Sequence, residues 1–498
     1  MHQFKLKDAL DGLRVGDIQK LLKHTPGAST KATRKADLVQ YACEVLQKSA
    51  TLKTIVDSLD PVQRLALAEA VHGDGQFDPR RFKARYGEVP SFSRKRPNGA
   101  RTRYASDDPG PLKLLMYPFQ RQLTVPDSLQ SKLQAMLEAP EPMELASINT
   151  LPEAVDGQTL QMHSAESVAL AEVGIMLRLA QQGKLAVSAK TKMPTAATQR
   201  VIGEHLVDGD FYPTTPPKNK WQQTIGPMRA FAWPLLLQAG KLVKQDGRKL
   251  ALTRAGLRAL GAPPAQVLND LWQKWQKVKF FDEFRRVEVI KGQQSRGPGM
   301  SALEPRRLAV RAALQECPVE GWIEIEAFCR FMQAEEIDFD ITHNPWKLYV
   351  CDRQYGSLGY AGYHDWHILQ KRYLLCLLFE FAATLGLVDV AYLHPAEAER
   401  DFDHVWGTDD LMFLSRYDGL LYFRLNPLGA WCLGLADQYE PARPADGPSL
   451  SVMPDLAIQC RDGVPDAQAV LLLDTWAERE DDDRWRMDRA QTLQAMEN

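Results

Sequence analysis

The stretch Lys241-Leu242-Val243-Lys244-Gln245-Asp246-Gly247-Arg248-Lys249-Leu250-Ala251-Leu252-Thr253 places two short strand-like runs on either side of an Asp-Gly pair. Asp-Gly is a hairpin signal because a tight two-residue turn needs positive φ, which these residues tolerate. The run before it, with Phe231, Leu235, Leu236 and Leu237, reads as a helix ending at Gly240. Further back, Ala196, Val201, Ile202 and Leu206 mark a second helix, and Leu185 to Thr195 forms a turn. Ser164 is placed to cap a first helix carrying Val168, Leu170, Val173, Ile175, Met176, Leu177 and Leu179 up to Gly183. Helices followed by a two-stranded hairpin predict a winged helix over 164–262.

The same plan is expected again in 318–440. Gly321-Trp322-Ile323-Glu324-Ile325 reads as a strand leading into a helix, and a long apolar helix covers about 369–385. Leu387 to Tyr392 and Leu420 to Leu425 read as wing strands around an insertion. Thr253-Arg254-Ala255-Gly256-Leu257 and Asn426-Pro427-Leu428-Gly429 follow the two hairpins, an internal echo. Residues 263–317 form a helical connector, and 441–498 a small α+β domain with strands at 450–458 and 484–487 and helices at 470–479 and 488–496. Toward the N-terminus, 1–50 read as a helical hairpin and 51–120 as a basic helical, winged-helix-like module with a strand at 112–117. Residues 121–163, with Pro126, Pro140, Pro142 and Pro152, read as a linker with some packed helix. The expected fold class is mainly α, multi-module, with winged-helix domains and a small α+β C-terminal domain.

Charge separates these modules. Lys+Arg exceed Asp+Glu by 8 in residues 1–120 and by 14 in 183–311, while acids exceed bases by 5 in 121–182 and by 19 in 312–498. Polyanion contacts therefore belong to the first 311 residues, and the acidic end suits a protein partner. Candidate phosphate contacts are Lys31, Arg34 and Lys35 at a helix start, where free N–H groups favour an anion. Arg94, Lys95, Arg96, Arg101 and Arg103 lie in a basic loop. Lys190, Lys192 and Arg200 precede the wing, and Lys244, Arg248 and Lys249 form its tip. Such contacts grip a backbone without reading bases.

Two resemblances rest on these residues. Leu13-x-Val15-x-Asp17-Ile18-x-x-Leu21-Leu22 with Thr33-Arg34-Lys35-Ala36-Asp37-Leu38-Val39 resembles the SAP motif, a small DNA-binding helical unit, with Arg34 where glycine is usual. From about residue 164 the chain resembles bacterial proteins bearing the XPB-helicase amino-terminal-like domain. The carrying segments are Gly183-Lys184-Leu185, Lys190-Thr191-Lys192, Leu250-x-Leu252-Thr253-x-Ala255-Gly256, Gly321-Trp322-Ile323 and Leu425-Asn426-Pro427-Leu428-Gly429. They continue through Leu450-Ser451-Val452-Met453-Pro454-Asp455-Leu456-Ala457-Ile458, Ala477-Glu478 and Trp485-Arg486-Met487. The resemblance implies DNA engagement beside a helicase or nuclease, in DNA repair or phage defence. The family plan continues with more helix, so the chain reads as a short or truncated member.

Other chemistry is sparse. There is no Gly-x-x-x-x-Gly-Lys-Ser/Thr and no Gly-x-Ser-x-Gly, so neither a P-loop motor nor that hydrolase elbow is encoded. His364 and His367 share a helical face and could hold a metal with His343 or His394, but surface or packing roles explain them as well. Asp338 and Asp340 read as loop decoration, as does the acidic run Glu478 to Asp483. The aromatic stretch from Trp346 to Trp366 suits a partner-binding loop or a packed irregular segment better than base stacking, given its acidic neighbours. Seven cysteines without Cys-x-x-Cys predict reduced thiols and a cytoplasmic setting. No apolar run of membrane length exists. The expectation is a non-enzymatic DNA-binding adaptor without cofactor or metal, duplex DNA being favoured although single strands or RNA present the same phosphates. The alternatives are a winged-helix transcription regulator and a metal-dependent enzyme using His364 and His367.

Overall fold

The computed structural model describes residues 4–93, 109–120, 122–213, 223–293, 299–354, 356–360, 366–441, 449–453, 455, 457–461, 467–474 and 477–488. They divide into two compact units, one of 1–144 with 330–336, the other of 145–329 with 337–498.

The first unit is built on helices Leu6–Asp11, Val15–His24, Lys35–Leu46, Ser49–Asp57, Pro61–His72, Pro79–Tyr86 and Asp127–Gln134. Asp60 and Gln63 close a reciprocal capping box ahead of Pro61, which fixes where that helix starts. A three-stranded antiparallel sheet runs Gln76–Phe77, Gln122–Thr124, Tyr117–Phe119 in spatial order. The expected strand over 112–117 is instead a 3-10 turn, Pro111–Leu114, ahead of the strand Tyr117–Phe119. One apolar core extends from Phe4 to Leu137. Within 121–163, read as a linker with some packed helix, Asp127–Gln134 is a helix whose Leu129 and Leu133 join this core, as does Leu137. Phe4 stacks on Phe119 at 4.4 Å and its N–H donates to Asp127 Oδ2 at 3.0 Å, tying the two ends of the unit together.

The second unit lays down one order of elements twice. The first copy has α1 (Ala165–Gln181), a bridged strand at 185–187, α2 (Ala196–Gly203), α3 (Arg229–Ala239), β1 (Val243–Asp246) and β2 (Lys249–Leu252). The second has α4 (Leu303–Gln315), β3 (Trp322–Glu324), α5 (Ile325–Ala334, of which 330–334 group with the first unit), a helix α6 over 367–382 with wider π-type turns at both ends, β4 (Val388–Tyr392) and β5 (Leu420–Leu425). Hairpins close both copies, and the early strand joins the last one. Ala186 bridges Lys249 in the first copy, and Ile323 pairs with Phe423 in the second. Gln161–His163 adds a fourth strand against β4, with His163 opposite Val390. Ser164 makes no side-chain cap; the Ala165 N–H at the start of α1 donates instead to Asp389 Oδ1 at 2.9 Å.

The third helix of each copy lies inside. Every residue of α3 except Gln238 is buried, as is every residue of α6 after His367. These helices are apolar around most of their circumference, the signature of a helix enclosed on all sides. They pack on one another, with Trp275 and Phe281 of the connector wedged beside them. Trp275 stacks on Phe381 at 4.6 Å, and Phe281 lies 6.0 Å from Phe231 and 5.8 Å from Phe381.

The chain closes on a four-stranded antiparallel sheet of Ser449–Val452, Ala457–Arg461, Arg484–Met487 and Ala477–Asp481 in that spatial order, with helix Ala467–Leu473. Ile458, Leu473, Ala477 and Trp485 form its core. The expected helix 470–479 ends at Leu473, and Ala477 onward is strand. The expected helix over 488–496 falls outside the described residues from 489 on.

The mainly α expectation is overturned. Helix makes up 42% and strand 16%, and several small antiparallel sheets make the chain mixed α/β. Apart from Ala477–Asp481, which was read as helix, the missed strands are short. Ala154–Val155, Gln158–Thr159, Ile290–Lys291 and Tyr349–Val350 have two residues each, so alternation has no length in which to register.

Candidate nucleic-acid interface

Six of the expected cations lie on the β1–β2 hairpin of the first copy or on the strand, loop and helix joined to it. β2 is the middle strand: the Val187 N–H donates to Arg248 O at 2.8 Å on one side, and Gln245 pairs with Leu250 on the other. Residues directly opposite in an antiparallel pair share a face. Leu250 is buried, so Lys249, Lys244 (opposite Ala251) and Asp246 (opposite Lys249) project from the other face. Gly247, at φ +59°, makes the turn that sets Arg248 at the tip.

Local bonds hold the remaining three. Thr198 Oγ1 accepts from the Ala186 N–H and donates to the Ala186 carbonyl, both at 2.7 Å, pinning α2 to the 185–187 strand. Thr195 caps α2 by accepting from the Thr198 N–H, and Arg200 points outward from that helix. The 188–192 loop closes through the Lys192 N–H to Ser188 O at 2.9 Å, with Lys192 at φ +61°. This sets Lys190 and Lys192 just beyond the 185–187 strand, the Lys192 ammonium 5.6 Å from the Phe280 ring centre. All six cations are exposed, and none forms an ion pair among the described residues.

The other expected contacts stand apart. Lys31, Arg34 and Lys35 are exposed at the start of Lys35–Leu46 in the first unit. The Lys35 ammonium donates to the Asp11 carbonyl at 2.5 Å, and Asp37 sits in the first turn of the same helix. Arg94, Lys95, Arg96, Arg101 and Arg103 lie outside the described residues.

Sequence reasoning missed that four arginines of the basic block are internal. Arg229 pairs with Glu172, Arg286 with Glu380, Arg306 with Asp282 and Arg307 with Glu283, each arginine side chain at most 8% exposed. Arg307 also donates to the carbonyls of Trp275 and Phe281 at 3.0 and 2.9 Å. The available signal was their setting. Arg306 and Arg307 sit in a helix with Val310 and Leu314, and Arg229 opens an unbroken apolar run.

His364 lies outside the described residues, so the histidine pair cannot be placed as one site. His367, Glu326 and Asp401 do bring possible ligand atoms within 4.8 Å of one another. A cation already occupies that position: the Lys371 ammonium donates to Asp401 at 2.7 Å and also to Glu326, and Arg372 donates to Asp401 at 2.8 Å. Burial pushes the Asp401 carboxyl up, but the hydrogen bonds and charges of Arg372 and Lys371 outweigh it and hold it well below the carboxylate range. The cluster is an internal ion-pair network. Asp338 is likewise structural, accepting from Trp366 Nε1 at 2.9 Å.

Among the described residues, no helix is long and apolar enough to cross a membrane. No protein-family model matches the chain, and its comparison with curated proteins finds no match.

Proposed function

We propose that this chain is a non-enzymatic nucleic-acid-binding adaptor that grips the phosphate backbone, duplex DNA being the favoured ligand, through the wing face of its second unit. One observation carries the reading: Lys190, Lys192, Arg200, Lys244, Arg248 and Lys249 are exposed around one three-stranded wing, without ion-pair partners among the described residues. The repeated order of helix, strand, helix, helix and hairpin supports a winged-helix reading of both copies. Their third helices, which would enter a major groove in that reading, are buried. Binding is therefore expected to follow backbone charge rather than base sequence, which counts against the transcription-regulator alternative. The acidic second half would repel the same ligand, so it suits a protein partner; a helicase or nuclease is the partner class that the family resemblance implies.

The test is fluorescence anisotropy with labelled duplexes of unrelated sequence, titrated with salt. Binding should be similar across sequences and fall steeply with salt. Replacing Lys190, Arg248 and Lys249 with Glu should weaken it at least tenfold and flatten the salt slope by about one unit for each cation that touches a phosphate. Unchanged affinity in that triple variant rejects the wing as the binding surface.

A further inference from the structure

The same unit holds a cavity whose lining includes none of the six hairpin cations. It is a cavity of about 530 Å3 lined by Gln223, Arg286, Glu288, Lys291, Ser415 and Arg416 among others. Each cation has a structural reason to be there. Lys291 lies in a two-stranded pairing, opposite Tyr349. Arg416 sits in a loop wrapped on Asp418, whose Oδ2 accepts from the N–H groups of Leu414 and Ser415 at 2.8 and 3.0 Å. Gly226 leaves room for the Arg416 guanidinium, since a Cβ there would stand 2.8 Å from Nη1. Arg286 is held from behind: Nε and Nη2 donate to Glu380 at 2.9 and 3.0 Å, Nη2 also reaches Pro227 O at 2.9 Å, and the guanidinium lies 3.7 Å from the Phe231 ring centre.

The front of these groups is what matters. Arg286 turns Nη1 toward Glu288 at 3.7 Å, and Arg416 Nη2 meets the same carboxylate oxygen at 2.9 Å. Both arginine side chains are 8% exposed, whereas Glu288 is 62% exposed. One solvated carboxylate thus straddles two buried guanidinium groups, and Lys291 also lines the cavity. Glu288 is the solvated member of this pairing and can turn out to water; Arg286 keeps its pair with Glu380, and an incoming phosphate would supply the negative charge that Arg416 loses. Two fixed guanidinium forks match the several oxygens of a phosphate better than they match one carboxylate oxygen. A cavity of this size suits a mononucleotide-sized ligand.

We propose that this cavity binds the phosphate group of a phosphorylated ligand, which displaces Glu288 from Arg286 and Arg416 and takes a further contact from Lys291. The phosphate belongs either to a free nucleotide or to the 5′ end of a nucleic-acid strand. No bond is made or broken; the site is one of recognition.

Isothermal titration calorimetry of the full chain at constant ionic strength tests it, with inorganic phosphate as the probe. Glu288→Gln removes the resident competitor and should tighten phosphate binding several-fold. Lys291→Gln should weaken it several-fold. Both positions are exposed, and glutamine at 288 keeps an acceptor oxygen for Arg416, so both variants should still fold, which a thermal melt of each verifies. The wing triple variant should leave this binding unchanged. AMP, and 5′-phosphorylated against unphosphorylated oligonucleotides, then distinguish the two sources. The proposal stands if Glu288→Gln tightens and Lys291→Gln weakens binding. Failure of either variant to shift affinity in its direction, or absence of phosphate binding in both wild type and Glu288→Gln, overturns it.

Discussion

Glu172 sits on α1 among Val168, Val173 and Met176, with its carboxylate fully buried. It accepts from Arg229 Nη2, from Trp233 Nε1 at 2.9 Å and from the Val207 N–H at 2.9 Å. Glu172→Ala would strand the Arg229 guanidinium in the core, so a loss of about 3–5 kcal/mol is expected in a urea melt. The same arginine acts on His163, whose Nε2 is buried without a hydrogen-bond partner among the described residues. Burial, then the Arg229 charge, lowers the His163 imidazole to about 4. The unfolded histidine, near 6.5, then binds more protons than the folded one between pH 4 and 6.5. Stability should fall as pH drops through that window, by up to about 1.4 kcal/mol per pH unit. His163→Phe should remove this slope in denaturant melts at stepped pH, leaving the carboxylate-driven loss below about pH 4 to which Asp401 contributes. A slope that survives the substitution assigns it elsewhere. At this scale the sequence was silent: a lone acid in an apolar stripe and a histidine in a three-residue strand carry no motif.

The two hairpin exits show what an element-level echo means physically. Thr253 Oγ1 accepts from the Gly256 N–H at 3.1 Å, and Asn426 Oδ1 accepts from the Gly429 N–H at 2.9 Å. A Cβ on Gly256 would stand 2.1 Å from Leu242 O, and one on Gly429 would stand 2.0 Å from Leu387 O. In both copies the capped helix crosses the backbone just ahead of the hairpin at a distance only glycine permits. Gly256→Ala and Gly429→Ala should each cost about 1–3 kcal/mol in the same urea melt, comparable to overpacking a core, and Thr253→Ala about 1 kcal/mol through removal of its cap. This echo was legible because a cap and a glycine at fixed spacing are local features. So were the hairpin and its cations, since the Asp-Gly turn and the buried Leu250 decide which side chains face out. Ile290–Lys291 and Tyr349–Val350 were not legible because each pairs with a distant partner, whereas Ala154–Val155 and Gln158–Thr159 flank a local Asp156-Gly157 turn whose signal went unread. That is why helix was overestimated.

At the scale of the whole molecule, charge was legible as blocks but not as surface. The basic block places Arg229, Arg286, Arg306 and Arg307 inside, and the acidic half supplies Glu380 to one of them. Burial of the third helices was equally out of reach, since an apolar helix does not name the helix it faces. Here α3 faces α6 of the other copy, and the connector aromatics Trp275 and Phe281 fill the space between. Each copy therefore completes its core with the other. Residues 145–262 expressed alone would expose Phe231 and Leu235–Leu237, and Phe231 would no longer be covered by the Arg286 guanidinium. They should aggregate or melt without cooperativity. Residues 1–144 hold a continuous core from Phe4 to Leu137 and should fold alone with a single sharp transition. Thermal circular dichroism with size-exclusion chromatography of the two fragments checks both expectations. A cooperative, monomeric melt from 145–262 would show that the first copy is a self-sufficient domain whose third helix can be released, and base-reading by that helix would then return as a live mechanism.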